Sequence, residues 1–304
     1  MKNMLSGAIV VDKHADISSA KLLAKVKKLF KAAKAGHTGT LDPFATGVMV
    51  CCLDNATRLA RFLLNDNKTY RAVLCLGIET DTQDLTGTVI SKCDKTDFSE
   101  EKIRSVFQQF KGTIKQAPPI FSALKHNGIP LYKLARSGNP VQKPPRRVHI
   151  SDIKIVEINL PRINFEVSCS AGTYIRTLCA DIGAILGCGG HLENLRRTES
   201  CGFTIKEAVT LSELENLESS GKLSGRIINM PGILRKMPEH TADDVLADRI
   251  KHGNIIGKND FIFKHSEGLE GFVKVVDKCN DLIAVLSYKN GSNKYNYCCA
   301  FPKY

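Results

Sequence analysis

The chain has 304 residues, of which 43 are Lys or Arg and 31 are Asp or Glu, so its formal net charge is +12. An apolar fraction of 43% is typical of a globular protein with a packed core and excludes an intrinsically disordered chain. No stretch approaches the roughly 20 consecutive apolar residues that a membrane-spanning helix needs. The positive charge favours a polyanionic partner, RNA or DNA rather than a membrane surface.

The cysteines indicate a reducing compartment. There are eleven, none of them forms a C-x-x-C pair, and the two Cys-Cys doublets lack the spacing of a zinc site. Most lie within apolar runs, where a reduced thiol packs as a small apolar side chain. The first residues show neither the long apolar stretch of a signal peptide nor an Arg-rich transit helix. We therefore predict a cytoplasmic protein with reduced cysteines and no metal.

The first predicted elements are a strand and two helices. The short apolar run 5–11 suits a buried strand. Apolar residues at helical spacing, with lysines between them, predict an amphipathic helix over 21–30 that is capped by Ser18 or Ser19. A further helix is predicted over 56–64.

A loop rich in glycine connects these elements, with the sequence G-H-T-G-T-L-D-P-F-A-T-G over Gly36–Gly47. Its glycines permit backbone angles that other residues resist, and Pro43 fixes the chain directly after Asp42. The apolar run 48–53 that follows predicts a buried strand. An acid held in a rigid loop beside such a strand is a candidate nucleophile or general base, whereas the structural alternative is a helix-capping aspartate.

Further along the chain, alternation and capping signals predict strands, a polar turn and helices. They cover, in order, 72–76, the turn 80–87, a helix to Phe110 capped by Ser99, the strands 148–158 and 163–169, and a helix that opens within 172–178 and continues through 185. From about Met237 the composition changes, and two β-like runs appear at 271–276 and 282–288.

A long basic segment follows Glu101, because no further acid occurs before Asp152. Charges of one sign cannot be neutralised by ion pairs within the segment, so we expect it to contact the phosphates of an RNA. The alternative is a solvated basic face. The segment contains ten basic residues: Lys102, Arg104, Lys111, Lys115, Lys125, Lys133, Arg136, Lys143, Arg146 and Arg147.

The loop resembles the catalytic loop of the TruB family of tRNA pseudouridine synthases, G-H-T-G-x-L-D-P-x-A-T-G, at every fixed position. Further resemblances to family motifs are K-x-Y at 68–70, T-D-T-x-D-x-x-G at 80–87, Q-x-P-P-x-F-S-A-x-K at 116–125, G-x-x-L-Y-x-x-A-R-x-G at 128–138, G-T-Y-I-R at 172–176 and L-R-R-T at 195–198. The family's D-K-P-x-G is altered, since His14 and Asp16 replace its Pro and Gly. The resemblance is strong over 5–209 and weak in the tail.

This resemblance implies an α+β fold, with a mixed, mainly antiparallel sheet and flanking helices, and a small β-rich, PUA-like C-terminal appendix. The domains are expected to be a catalytic domain over 1–236 and a small RNA-binding domain over 237–304. Within the first, the basic part at about 115–150 is expected to clasp the T-arm of tRNA.

The resemblance also assigns roles to individual residues. As catalytic residues it implies Asp42, Arg176 and Tyr70; as substrate-binding residues His37, Tyr70, Tyr174 and Leu195; as RNA-binding residues Lys125, Lys133, Arg136, Arg146 and Arg147; and as supporting residues Asp84 and Lys13. Taken singly, Tyr70 and Leu195 also suit core packing, Arg176 a phosphate contact, and His37 a structural role.

The implied reaction converts uridine to pseudouridine in the TΨC loop of tRNA (position 55). It involves no redox change and no transferred group, so we expect neither a cofactor nor a metal. The expected partner is the T-arm stem-loop, with no membrane and no obligatory protein partner, and the expected state is a monomer. Two alternatives stay open: a synthase subunit that depends on a guide RNA, and a non-enzymatic chaperone of tRNA folding.

Overall fold

The computed structural model describes residues 6–257, 260, 271–288 and 293–301. These residues form a large mixed sheet with flanking helices and a smaller C-terminal sheet, which confirms the predicted fold class. None of the helices in these ranges is both long and apolar enough to cross a membrane.

The strands are, in chain order, β1 (Gly7–Lys13), β2 (Ala35–His37), β3 (Thr46–Leu53), β4 (Lys68–Leu76), β5 (Ile78–Thr80), β6 (Val89–Lys92), β7 (Gly112–Gln116), β8 (Lys125–His126), β9 (Ile129–Pro130), β10 (Arg146–Asn159), β11 (Arg162–Cys169), β12 (Gly190–Ser200), β13 (Phe203–Thr204), β14 (Val209–Thr210), β15 (Ile228–Asn229), β16 (Glu239–Thr241), β17 (Ile256–Gly257), β18 (Gly271–Val276), β19 (Leu282–Tyr288) and β20 (Lys294–Ala300). The α-helices are α1 (Ser19–Leu29), α2 (Ala60–Leu63), α3 (Glu100–Gln109), α4 (Leu131–Arg136), α5 (Ile175–Leu186), α6 (Leu211–Ser219), α7 (Met230–Ile233) and α8 (Asp244–Lys251).

The large sheet runs in the order β14-β1-β3-β12-β4-β11-β10-β7, with β2, β13 and β15 paired at its side. Adjacent strands of this sheet are antiparallel, except that β1 pairs with β14, and β12 with β3, in parallel. The parallel contact between β12 and β3 brings the L-R-R-T motif beside the end of the loop Gly36–Gly47.

Local capping fixes the helices as the sequence predicts. The Ser18 hydroxyl accepts a hydrogen bond from the backbone of Lys21 at the start of α1, and Ser99 does the same for Lys102 at the start of α3. The predicted helix over 56–64 is different in the structure, since the chain first forms a 3₁₀ helix over Asp54–Leu59 and only then the short α2. The buried carboxylate of Asp54 accepts hydrogen bonds from two backbone amides elsewhere in the chain, which accounts for the tight start.

One core lies between the middle of the large sheet and the helices α3 and α5. Phe107 of α3 meets Phe165 of β11 edge to face, with the ring centroids 5.3 Å apart. Leu178 and Ile182 of α5 are fully buried in the same core. This packing fixes the start of α5, and with it the backbone of Arg176.

The strands β1 and β3 are buried on both faces. On one face, Val11 and Met49 pack against α1 and α6. On the other face, Val50 belongs to a core that includes Val285 and Phe301 of the C-terminal region. The C-terminal region is therefore part of the core that supports the strand emerging from the catalytic loop.

The C-terminal sheet has the order β16-β18-β19-β20-β17, and the predicted β-like runs form β18 and β19. Leu246 and Ile250 of α8 pack on this sheet. From the 3₁₀ turn and α2, Arg58 donates a 2.8 Å hydrogen bond to the carbonyl of Ala300, and Arg61 donates to that of Cys298. These contacts join β20 to the part of the chain that precedes 237. The predicted domain boundary at 236/237 stays a prediction.

Candidate active site

Asp42 lies in the loop between β2 and β3, and side chains from distant elements hold the backbone of that loop. The Ser19 hydroxyl, at the start of α1, lies 2.9 Å from both the amide and the carbonyl of Leu41. Lys13, which is fully buried at the end of β1, donates a 2.8 Å hydrogen bond to the carbonyl of Pro43. The residues on either side of Asp42 are therefore fixed before any substrate binds.

Arg197 of β12 holds the loop from the opposite side. Its side chain is 1% exposed, and its Nε donates to the carbonyl of Val48 at 2.7 Å. Its Nη atoms reach the carbonyls of Gly39 at 3.0 Å and Thr40 at 3.3 Å. Sequence reasoning gave this residue no role, although it is the second arginine of L-R-R-T.

Gly47 permits the close approach of β12. Its φ of +105° lies in the region that favours glycine, and a Cβ there would sit 2.2 Å from the carbonyl oxygen of Arg197. Gly47 pairs with Arg197 in the parallel contact between β3 and β12. A side chain at this position would push Arg197 away from the loop that it holds.

We expect Arg197→Met to lower the free energy of unfolding by about 3 kcal/mol or more, because it leaves buried carbonyl groups without a hydrogen-bond donor. The matched control is Arg196→Met on the same strand. Arg196 is partly exposed and forms an ion pair with Asp12 at 2.7 Å, so its loss should cost about 1 kcal/mol or less. Urea unfolding monitored by circular dichroism measures both, and equal midpoints for the two variants would contradict the assigned role.

The Asp42 carboxylate meets the guanidinium of Arg176. The Nε atom of Arg176 lies 2.9 Å from Oδ2, and Nη2 lies 3.5 Å from Oδ1. The arginine side chain is 5% exposed, whereas 35% of the aspartate side chain reaches solvent. The Nε atom makes no hydrogen bond to the carboxylate, so this contact is an ion pair, and part of the carboxylate stays open to solvent.

Arg176 is itself held in place by three other groups. Its Nη1 donates to the carbonyl of Thr82 and its Nη2 to that of Phe121, both at 2.9 Å. A second carboxylate, that of the buried Asp84, lies 3.5 Å from Nη1. Asp84 accepts hydrogen bonds from the backbone and hydroxyl of Thr86, which fix its orientation. One cation is thus shared between two carboxylates.

Burial changes the charge equilibria of this site. It raises the pKa of the Asp42 carboxyl above its usual value of 3.8, and the charge of Arg176 opposes this rise only in part. Burial likewise lowers the pKa of Lys13 to about 8, although the charges of Asp42 and Asp16 partly restore it. The guanidinium is therefore the main group that favours the ionised form of Asp42.

Tyr70 lies on β4 opposite Arg197, and its side chain is largely buried in the core beside Leu41. Burial raises the pKa of the hydroxyl above 10, more than the nearby guanidinium of Arg197 lowers it. The hydroxyl is therefore neutral near pH 7. A neutral hydroxyl can donate a hydrogen bond or relay a proton, but it does not act as a phenolate.

His37 lies at the end of β2, half-buried, and its Nδ1 accepts a hydrogen bond from the amide of Gly39 at 3.3 Å. Burial, followed by the charge of Arg197, lowers the pKa of the imidazole below 6.5. His37 thus presents a neutral, flat ring at the loop that carries Asp42.

Tyr174 precedes α5 and is clamped through its backbone. The buried side chain of Gln116 accepts from the amide of Tyr174 at 2.7 Å and donates to its carbonyl at 3.0 Å. The guanidinium of Arg146 lies over the Tyr174 ring, 5.2 Å from its centroid. Gln116 was not predicted as a site residue, although it is the Gln of the Q-x-P-P motif.

The side chain of Leu195 is buried in the core between the sheet and α5, where it pairs with Ala72 of β4. Its side chain is thus a packing residue, and a contact of its backbone to a bound base stays a prediction.

The predicted RNA-binding residues lie on several elements of the basic segment. Lys125 lies in the β8–β9 hairpin, and Lys133 and Arg136 lie on α4, all exposed. Arg147 is exposed on β10, whereas its neighbour Arg146 is partly buried and donates to the carbonyl of Gly172. In the described ranges, two of the ten basic residues pair with acids outside the segment, namely Arg104 with Glu100 and Lys111 with Asp152.

The altered D-K-P-x-G motif keeps its contact to the catalytic loop. Asp16, where the family has Gly, adopts a φ of +65°, and its amide donates to the carbonyl of Pro43 at 2.9 Å. Aspartate tolerates this left-handed conformation better than most residues do. The two replacements therefore leave Lys13 and Pro43 in contact.

A partly exposed carboxylate that is ion-paired with a buried arginine, on an anchored loop near a buried tyrosine, is a candidate site for nucleophilic or acid–base chemistry. The chain matches the family model described as the TruB family pseudouridylate synthase N-terminal domain over 27–175. It also matches the tRNA pseudouridylate synthase B C-terminal domain over 176–231. The chain belongs to the TruB family of pseudouridylate synthases.

The chain is similar to curated proteins by sequence and to solved structures by fold. The chain is 41% identical to "tRNA pseudouridine synthase B" of Francisella philomiragia, over 94% of this chain and 92% of that protein. It is 40% identical to the protein of the same name from Francisella tularensis strain SCHU S4, over the same shares.

Among solved structures, the chain is similar to a Cbf5–Nop10–Gar1 complex, with a TM-score of 0.77, 26% identity, and coverage of 99% of this chain and 88% of the other. It is also similar to an H/ACA ribonucleoprotein bound to a substrate RNA that contains 2'-deoxyuridine. There the TM-score is 0.71, with 25% identity and coverage of 96% and 82%.

Proposed function

We propose that this protein isomerises uridine to pseudouridine in the TΨC loop of tRNA, with Asp42 as the catalytic nucleophile. The observation that carries the proposal is the Asp42 carboxylate, held 2.9 Å from a buried guanidinium in a loop whose backbone is anchored from three directions. The similarity to proteins named tRNA pseudouridine synthase B supports the same substrate class.

The reaction breaks the C1'–N1 bond, rotates the uracil, and joins C1' to C5. The proton on C5 is then lost, and N1 gains a proton, so the product is an isomer of the substrate. An ionised carboxylate can form a covalent intermediate that divides this exchange into two easier steps. Asp42 can act on the base or on the sugar, and both routes need it deprotonated.

Arg176 lowers the pKa of Asp42 and so opposes the effect of burial, which raises it. Tyr70, with its neutral hydroxyl, is proposed to relay the C5 proton, with water where needed. The two residues approach Asp42 from different elements, α5 and β4, so substrate can enter from the open side of the carboxylate.

The target uridine must leave its stack before Asp42 can reach it, at a cost of a few kcal/mol. We propose that the ring of His37 fills the vacated place, because it is neutral, flat and attached to the loop of Asp42. The ring of Tyr174, backed by Arg146, offers a surface on which the extruded base can stack.

Purified protein incubated with T-arm RNA that carries tritium at uracil C5 tests this proposal. We expect release of tritium without any guide RNA or second protein, and pseudouridine at the target position in the digested RNA. Absence of both would overturn the proposal. The matched substrate control carries cytidine at the target position and is expected to yield no pseudouridine there.

The similarity to Cbf5 structures makes a guide-RNA-dependent subunit the second candidate. The long basic segment favours direct binding of tRNA instead, because its lysines and arginines can contact the phosphates of the tRNA without a guide RNA. Conversion of uridine in tRNA without any guide RNA would exclude the guide-RNA-dependent synthase. The third alternative is a non-enzymatic chaperone of tRNA folding. It requires that assistance of tRNA folding survive the loss of Asp42.

We expect Arg147→Glu to weaken T-arm RNA binding by about fivefold or more and to reduce the slope of log affinity against log salt by about 1. Arg147 is exposed on β10 within the basic segment. The matched control is Lys154→Glu, since Lys154 is exposed on the same strand but outside the segment. Filter binding at several salt concentrations measures both, and equal losses would contradict a specific contact at Arg147.

The remaining assignments are proposals as well. We propose a catalytic domain over 1–236 and an RNA-binding domain over 237–304, supported by the separate sheet and core of the C-terminal region. We also propose that the protein works as a monomer in the cytoplasm, which suits its eleven free cysteines.

A further inference from the structure

Three exposed lysines line one side of α1. Lys21, Lys25 and Lys28 are spaced by four and three residues, which places them on the same face of the helix, and we call them the lysine stripe. The neighbouring Lys27 and Lys31 are exposed as well. In the part of the chain that the structure describes, no ion pair joins any of these lysines to an acid.

The stripe does not stabilise its own helix. Like charges at these spacings cost an isolated helix about 0.2–0.5 kcal/mol per pair. Lys21 also lies in the first turn, at the positive end of the helix dipole, and no acidic residue shares that turn. The adjacent helix α6 carries Glu213, Glu215 and Glu218, and the carboxylate of Glu213 is bonded to Thr210. Lys28 lies in the last turn of α1, where the helix dipole favours a cation. Because no lysine of the stripe forms an ion pair within the described ranges, the stripe is available to an external anion.

The stripe begins at the catalytic loop. Ser18 caps α1, and the Ser19 hydroxyl binds Leu41, next to Asp42. Lys28 lies nine residues beyond Ser19, or about 14 Å along the helix axis. A polyanion that places a nucleotide at Asp42 can therefore reach the whole stripe.

The stripe and the basic segment lie on opposite sides of Asp42. The helix α1 packs over β1 and β3 near one edge of the large sheet, whereas the basic segment includes β7, at the other edge. A stem that runs from Asp42 over the basic segment leaves the stripe free. RNA that meets the stripe must come from outside that stem.

We infer that the lysine stripe binds the sugar-phosphate backbone of the tRNA outside the T-arm. This inference rests on the proposed function and adds a second contact surface to it. Exposed ammonium groups at this spacing bind phosphates without reading bases, so the contact adds affinity for folded tRNA of any sequence. A T-arm stem-loop alone lacks the part of the substrate that reaches the stripe.

The test compares full-length tRNA with the T-arm stem-loop. In the triple variant Lys21→Gln, Lys25→Gln, Lys28→Gln, we expect binding of full-length tRNA to weaken about tenfold or more, with a salt slope reduced by about 2 to 3. Binding and turnover of the stem-loop should not change. Glutamine forms helix as readily as lysine does, so the fold should be retained.

The matched control replaces the same three lysines by arginine, which keeps the charge and should preserve wild-type binding of both RNAs. Three results would overturn the inference: no loss on full-length tRNA, an equal loss on both RNAs, or the same loss in the arginine variant. Failure of the proposed function is seen separately, because wild-type protein would then release no tritium from the stem-loop, while filter binding would still report on the stripe.

Discussion

Asp42→Asn is expected to reduce the single-turnover rate of tritium release from C5-labelled T-arm RNA by at least about 10⁴-fold. The amide has nearly the same shape as the carboxylate but cannot act as the nucleophile. The loop should keep its conformation, because its anchors are Ser19, Lys13 and Arg197 rather than Asp42 itself. The affinity for the RNA should therefore stay within about twofold of the wild-type value. This is expected because Asp42 acts mainly in the transition state, so its loss changes the rate more than the binding.

Asp152→Asn is the matched control for this variant. Asp152 is an exposed acid of β10 that pairs with Lys111, and its loss should leave the rate unchanged. Appreciable turnover by Asp42→Asn, or a parallel loss of RNA binding, would remove Asp42 from the chemistry and favour the chaperone alternative.

Arg176→Met is expected to lower the single-turnover rate by about 10³-fold, since it removes the buried cation that stabilises the charge of Asp42. The carboxylates of Asp42 and Asp84 would then share a site without their common cation. Arg176→Lys should lose less, because it keeps the charge while losing the planar set of donors that reaches Thr82 and Phe121.

The control for this pair of variants is Arg162→Met. Arg162 forms an ion pair with Glu193 at 2.7 Å, but both side chains are partly exposed. Its loss should not alter the rate. If Arg176→Met kept more than about a tenth of wild-type activity, about 1.4 kcal/mol in activation energy, the guanidinium would not have the assigned role.

The catalytic loop could be predicted from sequence because its residues are contiguous. Glycine, proline and aspartate within Gly36–Gly47 predict a rigid turn, and the structure contains one. The caps at Ser18 and Ser99 were predictable for the same reason, since each side chain binds a backbone amide three residues away. The ion pair between Asp42 and Arg176 was expected from chemistry, although 134 residues separate them in the chain.

The roles of Arg197 and Gln116 could not be predicted in this way. Both bind backbone groups far away in sequence, and a backbone carbonyl or amide has no sequence signature. Arg197 reaches Gly39 across 158 positions, and Gln116 reaches Tyr174 across 58. Only the parallel contact between β12 and β3 brings the first pair together.

The core shared with the C-terminal region was also not predictable. The continuous apolar run of β3 predicts a buried strand, but it does not name what covers each face. In the structure, Val285 and Phe301 belong to the core on one face, together with Val50. The same limit applies to Lys111, because its partner Asp152 lies 41 positions away. Arg104 differs, since its partner Glu100 lies one turn earlier on the same helix.

The pH dependence of the single-turnover rate tests the central claim most directly, namely that Arg176 favours the ionised form of Asp42. Burial raises the pKa of Asp42 above 3.8 and Arg176 lowers it, while the reaction needs the deprotonated form. The rate should therefore rise with pH through this pKa. With T-arm RNA, we expect the midpoint of the rise to move to higher pH in Arg176→Lys and further still in Arg176→Met. Coincident midpoints in the three proteins would contradict the claim.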